Sequence, residues 1–321
     1  MLVQASNGEM NKKILITPRS FGKQCNEAFE LLKKQGYEIV RNDTGKMMPQ
    51  DDLKKNISDC EGVIIGVEEL NEEILKTAPN LRAIAKYGVG TDNIDIDFCK
   101  KKGITLSKTV GANADAVADY AFALILACAR KVPQIHHQCM QRNWSKVTSA
   151  DVCGKTLGIL GMGSIGKGVI KRAQGFSMRV MAYDPYWDEE FARQYHVEKA
   201  QMKDICMKAD FISLHLPLMP ETEKCIGQSE LELMKTTSYL INTARGGLVD
   251  ENALIDALAK KKIAGAGLDV FNEEPPADER WFKLDNVIMG SHCAASTIET
   301  TKRMSLAAAQ NLLHDLEDNS L

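Results

Sequence analysis

The 321-residue chain carries 40 Lys and Arg against 43 Asp and Glu, a formal charge of −3, with 44% hydrophobic and 26% charged residues. That balance is ordinary for a globular protein in water, and it leaves no general basic field for nucleic acid and no polybasic tract for a membrane surface. At roughly 150 residues per domain the length predicts about two domains. The opening MLVQASNGEMNKK has no apolar run of the secretory kind, and the first ten residues read as a disordered extension. From there strand and helix alternate. KKILIT reads as a strand, QCNEAFELLKKQG as a helix ended by Gly36, and YEIV and GVIIG as strands. NEEILKTAP is a helix stopped by Pro79, and LRAIAKYG and GITLS are strands.

Near Lys108 the rhythm changes. A long helix over about Ala114–Arg130 follows the turn TVGANAD; it contains Asp119 and is too short and polar to span a bilayer. A polar helix with HHQCMQRNW comes next. A second series then runs through KTLGILG, RVMAYD, DFISLHL, SYLINT, AGAGLDV and NVIMG to a last helix at about Ile298–Leu316. Short apolar runs separated by helical patterns predict an α/β fold of two doubly wound, mostly parallel sheets. Nine cysteines are scattered with no CxxC pair. They read as reduced thiols of a cytoplasmic protein.

GILGMGSIG places Gly161, Gly163 and Gly166 in the GxGxxG spacing, with Ser164 and Ile165 between the last two. TLGIL before it reads as a strand, the run after it as a helix, and the next strand ends at Asp184. That is the arrangement of a dinucleotide site. Gly161 permits a tight turn, Gly163 lets a diphosphate approach the backbone, and Gly166 lets helix and strand pack closely. The helix N-terminus offers unpaired N–H groups to the diphosphate. Asp184 can accept from both adenosine ribose hydroxyls, and a 2′-phosphate there would meet a carboxylate, so NAD is expected over NADP.

NTARGGLVDE sets Arg245 at the carboxyl end of a buried strand, where ligands of open α/β sheets bind. An anionic substrate would satisfy its guanidinium through two hydrogen bonds, and Gly246 and Gly247 are expected to leave room for that approach. GLDVFNEEPP presents Glu273 and Glu274, and GSHCAAST presents His292. Oxidation of an alcohol carbon needs a base for the hydroxyl proton, and histidine is the common choice near neutral pH. A carboxylate on its other nitrogen would fix the tautomer. Taken singly, such a histidine is a packing residue and such a glutamate a solvated turn.

From about Lys13 to Leu316 the chain resembles the D-isomer-specific 2-hydroxyacid dehydrogenases. The motifs that carry this are YGVGTDNID, GANADAVADYA, GKTLGILGMGSIG, ADFISLHLPLMPET, INTARGGLVDENAL, GAGLDVFNEEPP and SHCAAST. Within the family the run most resembles phosphoglycerate dehydrogenases, without the regulatory C-terminal domains that some of them carry. The resemblance implies a flavodoxin-like substrate domain, residues 1–108 completed by 294–321, and a Rossmann NAD domain, residues 109–293. It implies a catalytic trio of Arg245, Glu274 and His292, and a loop of Gly88, Val89 and Gly90 whose N–H groups take the substrate carboxylate. It puts Asp269 at the nicotinamide carboxamide and lines the cofactor site with His215, Pro217 and Thr243.

The expected partner is a small 2-hydroxy or 2-keto acid, with 3-phosphoglycerate leading and glyoxylate or hydroxypyruvate as the alternative. An NAD(H)-sensing corepressor on the same scaffold is the rival of another class. Three departures stand out: Gly290-Ser291 where many relatives have Thr-Pro, Asn272 where many have an acid, and GVEELN where a phosphate-binding arginine is expected. Lys86, Arg19 and Lys108 are the cations left to take a phosphate, each read as a solvated surface charge. His136 and His137 diverge by about 100° on a helix and read as exposed or interfacial residues, not a metal site. The Ala114–Trp144 stretch resembles the family's dimerisation arm, so a homodimer is expected.

Overall fold

Strand β1 (Lys13–Ile16) pairs in parallel with β2 (Glu38–Arg41) on one side and β3 (Gly62–Ile65) on the other. With β4 (Ala83–Lys86) and β5 (Thr105–Lys108) they form a five-stranded sheet of order β2-β1-β3-β4-β5. The structure, a computed structural model, describes residues 12–318; the extension read from the first residues lies outside them. The crossovers are α1 (Glu27–Lys34), α2 (Gln50–Ile57), α3 (Glu72–Lys76) and α4 (Ile96–Lys102). β3 and β4 are buried along their whole length, as central parallel strands covered on both faces are.

α2 and α4 are additions to the pattern read from the sequence. In α2 only Leu53 and Ile57 are buried, too sparse a stripe to show as a period. α4 carries readable signals, Asp95 accepting from the Phe98 N–H at 2.9 Å and Gly103 closing the helix at φ 69°. The last helix of the chain, Ile298–Asp318, returns to this sheet. Its Ala308, Ala309, Leu312 and Leu316 pack with Ile14, Ile16, Ile64, Ala83 and Ala85. Burying each large aliphatic side chain there contributes about 1.5–3 kcal/mol.

The second unit begins with α5 (Ala114–Arg130) and α6 (Val132–Met140). Then come β6 (Thr156–Leu160), α7 (Ser164–Gln174), β7 (Arg179–Tyr183), α8 (Glu189–Gln194), β8 (Glu198–Lys199) and α9 (Met202–Lys208). β9 (Phe211–Leu214), α10 (Gln228–Leu233), β10 (Tyr239–Asn242), α11 (Glu251–Ala259), β11 (Gly265–Leu268) and β12 (Val287–Met289) complete it. Every strand pair is parallel, in the order β12-β11-β10-β9-β6-β7-β8. The order reverses at β6, with β7 on one side and β9 on the other, which makes the carboxyl end of β6 a topological switch point. α5 lies against α7, where a Cβ on Gly168 would stand 2.8 Å from the Ala118 methyl. The two units divide at Asn113/Ala114 and Ala295/Ser296. The helix Ile298–Asp318, labelled α12, therefore belongs to the first unit. No helix among the described residues is long and apolar enough to cross a membrane.

Candidate active site

The glycine loop occupies the switch point. Gly161 has φ 101°, and a Cβ there would lie 2.6 Å from the His215 carbonyl oxygen, so only glycine fits. A Cβ on Gly166 would collide with the Gly161 carbonyl. Gly163 has open space around it and precedes α7, whose first turn receives no side-chain cap. Ser164 is exposed and Ile165 half-buried at that end of the helix. Asp184, just past β7, holds the loop from the side: Oδ2 accepts from the Met162 N–H at 2.5 Å and Oδ1 from the Tyr186 N–H at 2.7 Å. Lys167 in α7 is tied to Asp188 at 2.5 Å and lies 5.1 Å over the Phe191 ring.

Two further polar atoms line the same strand ends. His215 follows β9 and Thr243 follows β10. His215 Nδ1 and Thr243 Oγ1 are buried without a hydrogen-bond partner among the described residues, while His215 Nε2 is 2.9 Å from Ser213 Oγ. Desolvation pushes the His215 imidazole down to about 3, so it is neutral. Pro217 is exposed two residues on. An open helix N-terminus, a glycine with room beside it and unpartnered polar atoms on neighbouring strands fit a dinucleotide diphosphate and its ribose hydroxyls.

Arg245, Glu274 and His292 all lie in this unit. Arg245 starts a 3-10 turn, Gly246–Leu248, after β10. Asn242, 1% exposed, organises that turn: its Oδ1 accepts from the Ala244 N–H at 3.0 Å and its Nδ2 donates to the Arg245 carbonyl at 2.8 Å. An asparagine at a strand end is the signal that marks this role, and the sequence reading passed over it. Arg245 Nη1 donates to the Ala244 carbonyl at 2.7 Å. The two glycines serve a different purpose from the one expected. A Cβ on Gly246 would collide with the Phe271 backbone, and one on Gly247 would come within 2.9 Å of Leu218. They let the turn pack against its neighbours, so the space beside them is filled by protein.

The histidine and the glutamate meet. His292 Nδ1 lies 2.8 Å from Glu274 Oε2, both side chains partly exposed. Glu274 Oε1 accepts from the Phe271 N–H at 3.1 Å. Burial pushes the Glu274 carboxyl up, but the hydrogen bond and charge of His292, the Phe271 N–H and the charge of Arg245 outweigh it and hold the group below the ordinary glutamate value. His292 itself has φ 55°, an uncommon conformation for a non-glycine residue. Asp269, 1% exposed at the end of β11, stabilises it through the backbone. Its carbonyl accepts from the His292 N–H at 2.8 Å, and its carboxylate accepts from Cys293 N–H at 3.0 Å and Ala294 N–H at 2.8 Å. A Cβ on Gly290 would collide with that carboxylate, which accounts for glycine at this departure from the family pattern. Asn272 is exposed, and its N–H donates to Glu251 at 2.7 Å.

In the first unit, Gly88, Val89 and Gly90 follow β4, with Gly88 at φ 141°. Here the structure departs from the reading of three available N–H groups. The Gly88 N–H is taken by Thr109 Oγ1 at 2.9 Å and the Lys86 carbonyl at 3.0 Å. The N–H groups of Val89 and Gly90 make no hydrogen bond among the described residues. Lys86 also differs: it is buried, not a solvated surface charge, whereas Arg19 and Lys108 are exposed. In GVEELN the Glu68 side chain is buried and accepts from Thr17 Oγ1 at 2.6 Å. Among the described residues no group of three or more His, Cys, Asp or Glu is placed to hold a metal ion.

Residues 122–294 match the family model described as "D-isomer specific 2-hydroxyacid dehydrogenase, NAD binding domain". The chain is 41% identical over 314 residues to a glyoxylate reductase of Pyrococcus horikoshii, covering 95% of this chain and 92% of that protein. It is 37% identical over 290 residues to a D-3-phosphoglycerate dehydrogenase of Methanocaldococcus jannaschii, covering 89% of this chain and 55% of that one. A crystal structure of D-lactate dehydrogenase from Aquifex aeolicus, complexed with NAD and lactic acid, superposes with a TM-score of 0.82 at 31% identity, covering 96% of each chain. The fold, the glycine loop and these likenesses together make the chain a member of the D-isomer specific 2-hydroxyacid dehydrogenase family, and so an NAD-dependent oxidoreductase.

Proposed function

We propose that this chain reduces a small, unphosphorylated 2-keto acid, glyoxylate or hydroxypyruvate, to the 2-hydroxy acid with NADH. The observation that carries the reading is the hydrogen-bonded His292–Glu274 pair at 2.8 Å, set in the same unit as Arg245 and the glycine loop. Arg245 grips the substrate carboxylate through its forked guanidinium and polarises the keto oxygen. His292 gives a proton from Nε2 to that oxygen in reduction and recovers it in oxidation. Glu274, on Nδ1, fixes the tautomer and direction of the ring and steadies its positive charge. The resemblance assigns the Val89 and Gly90 N–H groups to substrate binding and the first unit to the role of substrate domain. The nicotinamide, when bound, supplies the hydride to C2. Gly161, Gly163, Ser164, Ile165 and Gly166 would receive the diphosphate of a bound NADH, Asp184 its adenosine ribose, and His215, Pro217, Thr243 and Asp269 its nicotinamide side.

Two observations favour an unphosphorylated acid over 3-phosphoglycerate. The glyoxylate reductase likeness spans nearly the whole chain, and the segment expected to carry a phosphate-binding arginine instead holds the buried Glu68. The likeness to the M. jannaschii enzyme keeps 3-phosphoglycerate as the second reading. A homodimer fits α6, which has no buried residue and leaves Val132 and Met140 exposed, with Trp144 beyond it. A cytoplasmic setting fits the free thiols.

The test follows NADH loss with glyoxylate, hydroxypyruvate and 3-phosphohydroxypyruvate, with His292→Ala as the inactive control. A kcat/KM at least tenfold higher for an unphosphorylated acid supports the reading. The reverse preference replaces it with the second one. Tight NADH binding without turnover of any 2-keto acid would favour an NAD(H) sensor. Arg245→Ala is expected to raise KM at least tenfold and to lower kcat as well.

A further inference from the structure

Helix α5 packs against β11 and β12. Its residues Tyr120, Leu124 and Cys128 stand one turn apart and so share one stripe of the helix. A Cβ on Gly267 of β11 would meet Leu124 at 3.0 Å and Cys128 at 3.2 Å, so helix and strand touch closely there. Asp269 follows Gly267 by two residues, and Tyr120 precedes Leu124 by a turn, which brings the two toward each other past the end of the strand. A Cβ on Gly290 would collide with the Asp269 carboxylate and stand 2.8 Å from the Tyr120 hydroxyl, so both groups converge on the space that this glycine leaves. Cys293 completes the cluster: its thiol donates to Tyr120 Oη at 3.4 Å and to Asp269 Oδ1 at 3.5 Å.

The Tyr120 ring is half-buried against the core of this unit. A phenylalanine would fill that space without taking a hydroxyl out of water, so the hydroxyl is the part that packing does not explain. Burial pushes the Tyr120 phenol up, and Cys293 and Asp269 push it further, so it keeps its proton and stays neutral beside the carboxylate. Cys293 is then held at two points, its side chain by Tyr120 and its N–H by Asp269 at 3.0 Å. It directly follows His292, whose φ of 55° persists only where the neighbouring residues are held. Fixing Cys293 fixes the direction in which the imidazole leaves the turn and meets Glu274.

We propose that Tyr120 is a positioning residue for proton transfer: its hydroxyl, through the Cys293 thiol and beside the Asp269 carboxylate, fixes the turn on which His292 stands. This rests on the reading of the chain as a 2-keto-acid reductase with His292 as its acid and base. Tyr120 acts on the direction of His292 and leaves Arg245 and the glycine loop as they are, so loss of its hydroxyl lowers kcat and spares KM and NADH affinity.

The experiment compares Tyr120→Phe, Cys293→Ala, Cys293→Ser and the double variant Tyr120→Phe/Cys293→Ala with the unaltered chain. It measures steady-state reduction of the best keto acid, NADH affinity by fluorescence, and titration of the Glu274 carboxyl by NMR. Tyr120→Phe and Cys293→Ala are each expected to lower kcat about fivefold, with KM and NADH affinity within about twofold, and the double variant to lose no more than either, since both remove one contact. Cys293→Ser keeps a donor and should keep most of the activity. In Tyr120→Phe the Glu274 carboxyl, held down by His292, should titrate closer to its ordinary value of 4.5. An unchanged kcat in Tyr120→Phe, losses that multiply in the double variant, or a lower melting temperature with kcat intact overturns the proposal. Should Tyr120→Phe not fold, Cys293→Ala against Cys293→Ser reads the same contact from its other side, and an equal kcat in the two overturns the proposal. If the unaltered chain turns over no keto acid, the reductase reading has failed, and the Glu274 titration still decides: the same value with and without the Tyr120 hydroxyl overturns the positioning role.

Discussion

Asp269 holds His292 and the two residues after it through three successive backbone N–H groups, at 2.8, 3.0 and 2.8 Å. The left-handed turn that presents the imidazole is therefore stabilised by one buried residue on the neighbouring strand. Asp269→Asn replaces one accepting oxygen with an NH2 group that faces a donor. The loss of one charge-assisted hydrogen bond and the unsatisfied donor cost about 1–3 kcal/mol. The expected outcome is a lower melting temperature and a kcat reduced at least tenfold, read by calorimetry and NADH turnover; full activity would mean that the turn does not depend on Asp269.

Glu274→Gln removes the charge opposite the His292 ring and keeps the shape. A kcat lowered at least tenfold, with KM much less affected, is expected from steady-state kinetics. The same variant reports on stability. The Glu274 carboxyl is held below its ordinary value of 4.5 in the folded chain. A depressed folded value contributes stability above the unfolded value, and that contribution is lost as pH falls through the folded one. The melting-temperature difference between the unaltered chain and Glu274→Gln should therefore shrink as pH falls below about 4.5.

Asp184→Ala tests cofactor choice. Both carboxylate oxygens already accept backbone N–H groups, and Lys167 of α7 is tied to Asp188. Removing the carboxylate should weaken NADH and relieve the repulsion of a 2′-phosphate. The ratio of kcat/KM for NADH over NADPH is expected to fall at least tenfold. A ratio that does not move would place the discrimination elsewhere.

Gly246→Ala probes the turn that carries Arg245. The new methyl would collide with the Phe271 backbone, which cannot move as a side-chain end could. Overpacking of this kind costs about 1–3 kcal/mol. A clear drop in melting temperature, together with an altered KM through displacement of Arg245, is the expected result. Gly163→Ala faces open space and should leave the melting temperature nearly unchanged while weakening NADH binding.

The parallel strands were legible because central strands covered on both faces read as short, nearly uninterrupted apolar runs, as GVIIG and SYLI do. α2 was not, since two buried residues in eight give no period to read. The trio could be found by residue type and resemblance, but the contact between Glu274 and His292 follows from the pairing of β11 with β12, which no spacing along the chain reveals. Glycines were the least transparent residues. The same absence of a Cβ admits open space at Gly163, a carbonyl at Gly161 and a neighbouring chain segment at Gly246. Lys86 misled for a related reason, because a lysine's burial depends on what crosses above it.

The chain leaves its first unit after Asn113 and returns to it only at Ser296, with α12 covering one face of the first sheet. During synthesis from the N-terminus, the middle unit is therefore complete while Ile14, Ile16, Ile64, Ala83 and Ala85 have the cover of Phe21, Ala28 and Leu32 but still lack that of α12. The sheet made first is finished last, and for the length of some 180 residues of translation its apolar face depends on whatever in the cell shields nascent chains.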